Sequence, residues 1–181
     1  MGAALALLLF WAAACSSQPG GLSAKALNFK KEALAHLAKA EAALPRPFDD
    51  SMRQPLEKGL EKLFQQAQDN HSPLPCGLVV LDSNGRVITG RFPDPTHPRG
   101  VATLKGGKNY SRYEKMREVL EKGKKAQFPL FYPDGKLYVV CSPVKKGGGV
   151  AGAICLSFAA EVLHDQLGVS QEEFLALDFN S

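Results

Sequence analysis

The chain has no apolar run long enough to span a bilayer. A transmembrane helix needs about 20 apolar residues to cross the ~30 Å hydrocarbon core. The uncharged stretch Gly2 to Ala14 stops short of that, at Cys15 and the polar Ser16-Ser17-Gln18-Pro19-Gly20-Gly21. No CxxC or CxxCH occurs among the four cysteines, which excludes dithiol redox motifs and c-type haem attachment. His36, His71, His97 and His164 are scattered without metal-ligand spacing, so neither a metal nor a cofactor is expected. Ser, His and Asp form no recognisable nucleophile elbow. No catalytic residue is assigned, and the chain does not read as an enzyme. The net charge is +4, yet the basic residues pair up at element ends, as in Lys30-Lys31, Lys124-Lys125 and Lys145-Lys146. That is not the stripe a nucleic-acid partner requires.

What the N-terminus does have is an apolar core of export-signal length. The small residues Ala12-Ala13-Ala14 directly before Cys15 resemble a lipobox. That resemblance implies cleavage before Cys15 and a palmitate-bearing diacylglycerol on its thiol. The stretch departs from the usual signal in having no Lys or Arg ahead of it. Residues 1-14 are therefore read as signal peptide and 15-23 as lipidated tether. Residues 24-181 form the single domain; removing the signal leaves roughly 165 residues, enough for a real core. The expected location is the cell envelope, extracytoplasmic and lipid-anchored. In a double-membraned cell that means the periplasmic face of the inner or outer membrane, and Ser16 permits the outer one. No kinase, methyl-accepting or cyclase segment follows Ser181, so output is expected to pass through a separate membrane signalling protein.

The domain opens helically (24-70). Leu27, Leu34, Leu37, Ala38 and Leu44 recur at helical spacing after Ser23, a plausible N-cap, and Pro45 and Pro47 stop the helix. A second helix is expected from about Asp49 to Asp69, with Leu56, Leu60, Leu63 and Phe64 on its buried side and Pro55 in its first turns. The period then changes. Gly77 to Asp82 and Arg86 to Arg91 read as strands joined at Asn84-Gly85. Residues 92–111 read as a long loop rich in Pro and Gly. A helix from about Ser111 to Gly123 follows, with Tyr113, Met116 and Leu120 on one face. Gln127 to Tyr132, Lys136 to Val144 and Val150 to Phe158 read as a three-strand meander. Ala159 to Leu167 and Ser170 to Asn180 read as short helices. The sheet-containing core is thus 76-158 and the C-terminal helices 159-180. The fold class is α+β, with five antiparallel strands covered by helices.

This order, a long helix followed by ββ-loop-α-βββ, resembles the Cache family of extracytoplasmic sensor domains, which are PAS-like. The resemblance is carried by Leu78 to Val87, by Tyr110 to Tyr113 opening the helix, and by the closing pattern Tyr138-Val139-Val140-Cys141-Ser142-Pro143-Val144, a glycine turn, and Val150 to Phe158. It implies a small-molecule site between the sheet and the loop–helix layer. Lys105, Lys108, Tyr110, Arg112, Tyr113 and Arg117 concentrate cations and aromatic hydroxyls there. Arg supplies a bidentate fork for a carboxylate, and Tyr a hydroxyl at low entropy cost. Arg91 and Tyr132 join them as candidate ligand-binding residues, and a small anionic ligand is the expected partner. The alternative is a structural or envelope-interaction lipoprotein of the same fold with a filled interior. A void above ~300 Å³ with converging polar groups separates the first from the second.

Gly147-x-Gly149-x-x-Gly152 formally matches a dinucleotide fingerprint, but strands lie on both sides of it, so it reads as a hairpin turn. Cys141 and Cys155 stand seven residues to either side of Gly148. In that register they face each other across an antiparallel pair. They are a candidate disulfide in an oxidising compartment, or two buried thiols acting as small apolar residues. Leu137 and Val139 then share a face with Ala151, Ala153 and Ser157, and that face is small on its last strand.

Overall fold

The computed structural model describes residues 21–70, 75–93, 101–133 and 135–181. The signal segment, Cys15, Pro73, Pro95 and Pro98 lie outside the described residues. Among those described, no helix is long and apolar enough to cross a membrane.

Helix α1 (Ala24–Ala43) starts at Ser23, whose hydroxyl accepts the Ala26 N–H at 3.1 Å. Its buried face is Ala26, Phe29, Ala33, Leu37 and Ala40. The stripe expected from the sequence is corrected in part: Leu37 and Leu44 are buried, but the other three members are not. Leu27 is 52% exposed, Ala38 is exposed and Leu34 is half-buried. The true face is built from alanines about Phe29, which let the helix lie close on the sheet. A 3₁₀ turn (Asp50–Met52) leads into α2 (Arg53–Asp69), where Leu56, Leu60, Leu63 and Phe64 are buried. Pro55 sits in the first turn, where its missing N–H leaves nothing unpaired.

The strands are β1 (Gly77–Asp82), β2 (Val87–Pro93), β3 (Val101–Lys105), β4 (Ala126–Tyr132), β5 (Gly135–Lys146) and β6 (Gly149–Ala159). They form one antiparallel sheet of six strands in the order β3-β2-β1-β6-β5-β4. The expectation of five is corrected by β3, which lies within the stretch read as a loop and pairs with the end of β2, Leu104 opposite Gly90. Helix α3 (Glu114–Lys122) starts three residues later than expected and ends at Gly123, in the left-handed conformation (φ 61°). After β6, a π-helical turn (Val162–Gln166) and α4 (Gln171–Ala176) complete the chain.

Each face of the sheet carries its own core. On one, α1, α2 and the C-terminal segment pack against Leu78, Val80, Val140, Ile154, Leu156 and Phe158. The rings of Phe158, Phe174 and Phe179 surround Phe29 at 5.1, 6.0 and 6.5 Å between centroids. On the other face, Met116 and Val119 of α3 lie with Leu81, Val87, Cys141, Ala153 and Cys155. A bulge in the β5–β6 pair places Val144 opposite Gly152 and Lys145 opposite Val150. A Cβ on Gly152 would stand 2.3 Å from the Leu81 carbonyl oxygen, so only glycine permits that approach.

Candidate ligand-binding site

Strand alternation decides what faces the α3 side. Val79 and Leu81 of β1 point there, while Leu78 and Val80 point to the helices on the far face. On β5 and β6 the small face is Val139, Cys141, Ala153, Cys155 and Ser157, with Cys141 directly opposite Cys155 and Val139 opposite Ser157. The Cys141 and Cys155 sulfurs are joined in a disulfide, with Cα atoms 4.1 Å apart. The third cysteine among the described residues, Cys76, is a buried free thiol; burial pushes it up to about 12 and leaves it protonated.

Helix α3 packs Met116 and Val119 onto this small face, and beside them lies a cavity of about 220 Å³. Its floor is Val79, Leu81, Val139, Cys155 and Ser157; Phe92 and Leu104 close one side and Phe128, Leu130 and Leu137 the other. Lys108, Tyr110 and Tyr132 complete the wall. The volume falls below the ~300 Å³ of ordinary ligand pockets. It still exceeds the ~150 Å³ at which an apolar cavity holds benzene.

Few polar atoms reach this space. The Tyr110 and Tyr132 hydroxyls are 3.0 Å apart. Only one hydrogen is consumed in that bond, so the other hydroxyl keeps its proton to donate. Burial, then the bond to Tyr132, raises Tyr110 well above the ordinary phenol range. The Lys108 ammonium lies over the Tyr132 ring, 5.1 Å from its centroid. Ser157 is 6% exposed, and its Oγ has no hydrogen-bond partner.

The expected site residues therefore divide. Tyr110 and Tyr132 line the cavity together with Lys108. Tyr113 stands at its rim, 45% exposed, stacked on Phe128 at 6.4 Å and tilted against Tyr110 at 5.8 Å. Arg112 and Arg117 are exposed and line no part of it. Arg91 faces away. Its neighbour Phe92 walls the cavity, so alternation turns Arg91 toward α2, where Nη2 is 3.6 Å from Glu61. Lys105 pairs with Thr89 through its backbone; its side chain lies outside the described residues. The sequence pattern puts Ser157 on the small face without marking it as a candidate, and it leaves out Phe92 because the second strand, expected to end at Arg91, runs two residues further to Pro93.

No protein-family model matches the chain, and no curated protein matches it. Solved structures do. An extracellular domain assigned to the histidine kinase soHK1S-Z6 aligns with a TM-score of 0.54 at 14% identity, over 81% of this chain and 60% of that one. Methyl-accepting chemotaxis protein X aligns at 0.54 and 14% identity, over 77% and 58%. The ligand-binding domain of the Campylobacter jejuni chemoreceptor Tlp3, solved with L-valine, aligns at 0.50 and 10% identity, over 79% and 57%. The chain spans about three-fifths of the length of these structures. They are sensory rather than catalytic domains, and what they share with this chain is the fold.

Proposed function

We propose that this chain, which has the Cache-like fold of extracellular sensory domains, is an extracytoplasmic small-molecule-binding module held on a membrane by lipid at Cys15. The observation that carries the reading is the cavity on the small face of the sheet. It is lined by apolar side chains, with the Tyr110–Tyr132 hydroxyl pair and Lys108 on its wall. A fold neighbour holds L-valine, which fits a seat for something small. The bound state would be passed to a separate membrane signalling protein.

Two measurements test this. Native mass spectrometry of protein purified from its membrane should reveal a bound small molecule, displaced on replacing Leu130 by Trp to fill the cavity. A protein that carries nothing, and gains stability from that filling without losing any ligand response, is the structural lipoprotein instead. For the anchor, Cys15→Ala should leave an uncleaved precursor or release the protein from the membrane. Unchanged cleavage and fractionation would remove the lipid from the account.

A further inference from the structure

Resting on the reading of this cavity as the ligand seat, we infer that it selects an uncharged aromatic molecule with a single hydroxyl, a phenol or small aromatic alcohol, and refuses carboxylates and ammonium compounds. Its walls are hydrocarbon and rings, among them Val79, Leu81, Leu130 and Val139 with Phe92 and Phe128. Among the described residues no Asp, Glu, His or Arg lines it. Lys108 does, but that side chain is exposed, and its solvated ammonium lies over the Tyr132 ring. The Ser157 oxygen is shielded from the open space. The polar feature that remains is the Tyr110–Tyr132 hydroxyl pair, 3.0 Å apart and half-buried.

An ion in this space meets no buried counter-charge, and taking it out of water unpaired is costly for either sign. A neutral hydroxyl has far less hydration to lose, and the tyrosine pair meets both of its needs. One tyrosine gives its hydrogen to the other; the second keeps a hydrogen to donate, and both oxygens retain a lone pair to accept. Burial favours the protonated form of Tyr110, so the pair stays neutral beside its guest. An aromatic body suits the walls, because Phe92, Phe128 and Met116 offer ring–ring and sulfur–ring contacts that an alkyl chain lacks. Size agrees. A cavity of about 220 Å³ exceeds the ~150 Å³ at which an apolar cavity holds benzene, and admits a ring with one or two small substituents.

Four probes that share a tolyl group test the inference: 4-methylphenol, toluene, 4-methylbenzoate and 4-methylbenzylammonium. Each is titrated at pH 7, with the methyl NMR signals of Val79, Leu130 and Val139 reporting occupancy. The phenol and toluene should both shift the cavity methyls, the phenol binding about threefold tighter or more through its hydrogen bond. The two ions should bind about tenfold more weakly than the phenol, or worse. In the double variant Tyr110→Phe, Tyr132→Phe the phenol should fall to the affinity of toluene, with toluene held as before. Leu130→Trp should silence the Val79 and Val139 shifts for every probe. An ion that binds as tightly as the phenol, with the same methyls shifted, would overturn the uncharged class and leave the seat in place. A preference for the phenol that survives the loss of both tyrosine hydroxyls would overturn the part given to the pair. Methyls that no probe shifts would overturn the class and the seat together.

Discussion

Ser157 lines the cavity, yet its hydroxyl oxygen is shielded from the open space. Its hydroxyl is buried and unpartnered, a condition that costs about 1–3 kcal/mol in a protein interior. Ser157→Ala removes the unmet group together with its one oxygen. The variant should be as stable as the parent in urea melts, or more stable by about 1 kcal/mol. A marked loss of stability would mean that the hydroxyl has a partner in the folded state. Two glycines make the contrast. Gly152→Ala meets the Leu81 carbonyl, which cannot move aside, and should cost about 2–4 kcal/mol. At Gly77 an added Cβ meets Phe92 and Ser157 side chains, so Gly77→Ala should cost less and instead shrink the seat. Comparing urea midpoints with ligand affinity for both variants separates packing from binding. At this scale the sequence was only half legible. Tyr110 is legible because hydroxyl-bearing aromatics near a helix start are rare enough to notice; Tyr132 stands at the end of β4. The arginines Arg91, Arg112 and Arg117 stand out by charge, yet charge keeps Arg112 and Arg117 in solvent, and strand alternation beside Phe92 turns Arg91 toward Glu61.

Among the elements, the β5–β6 hairpin carries the most. The Lys-Gly-Gly-Gly run marks its turn, but counting outward from the Lys146–Gly149 pair alone would set Cys141 opposite Ile154; the bulge at Val144 and Lys145 adds the one-residue shift that brings Cys141 opposite Cys155. Strand β3 was not readable. Its five residues, Val101-Ala102-Thr103-Leu104-Lys105, sit between prolines and glycines, and what makes them a strand is the free edge of β2 rather than anything local. Helix α1 misled for a related reason. Leucine count pointed to one face, while the close approach to the sheet required alanine. The disulfide joins residues 14 apart in sequence, and a loop of that length contributes at most about 3 kcal/mol through the unfolded chain. The hairpin ladder already holds the two strands, so the double variant Cys141→Ala, Cys155→Ala should lose about 1–2 kcal/mol rather than unfold. Urea melts with and without reductant check this. Cys155 also lines the cavity, so the same variant should enlarge the seat and loosen its grip on a small ligand.

At the scale of the whole molecule, the two ends of the domain are tied together by one carboxylate. Glu173 accepts the Ser23 N–H with one oxygen and the Ser170 N–H with the other, each at 3.0 Å. Ser170 returns the favour to α4 by accepting the Glu173 N–H, closing a capping box. The start of α1 and the start of α4 are thus held at a single ionised group. Hydrogen bonds from Ser23, then from the Ser170 backbone, hold that group down to about 2. A folded-state value below the unfolded one stabilises the fold at pH above the unfolded value, near 4.5, and the contribution fades as the pH falls from there toward about 2. Asp50 and Asp178 are lowered in the same direction by their own hydrogen bonds, so the acid slope of the parent has several sources and must be read by difference. Glu173→Gln keeps the shape and removes the charge. It should melt below the parent at pH 7, and the gap should close as both are taken from pH 5 to pH 2. A gap that persists unchanged at pH 2 would place the contribution of Glu173 in its shape rather than its charge. No gap at any pH would mean that the two helix starts are held by the packing of Phe29, Phe174 and Phe179 alone.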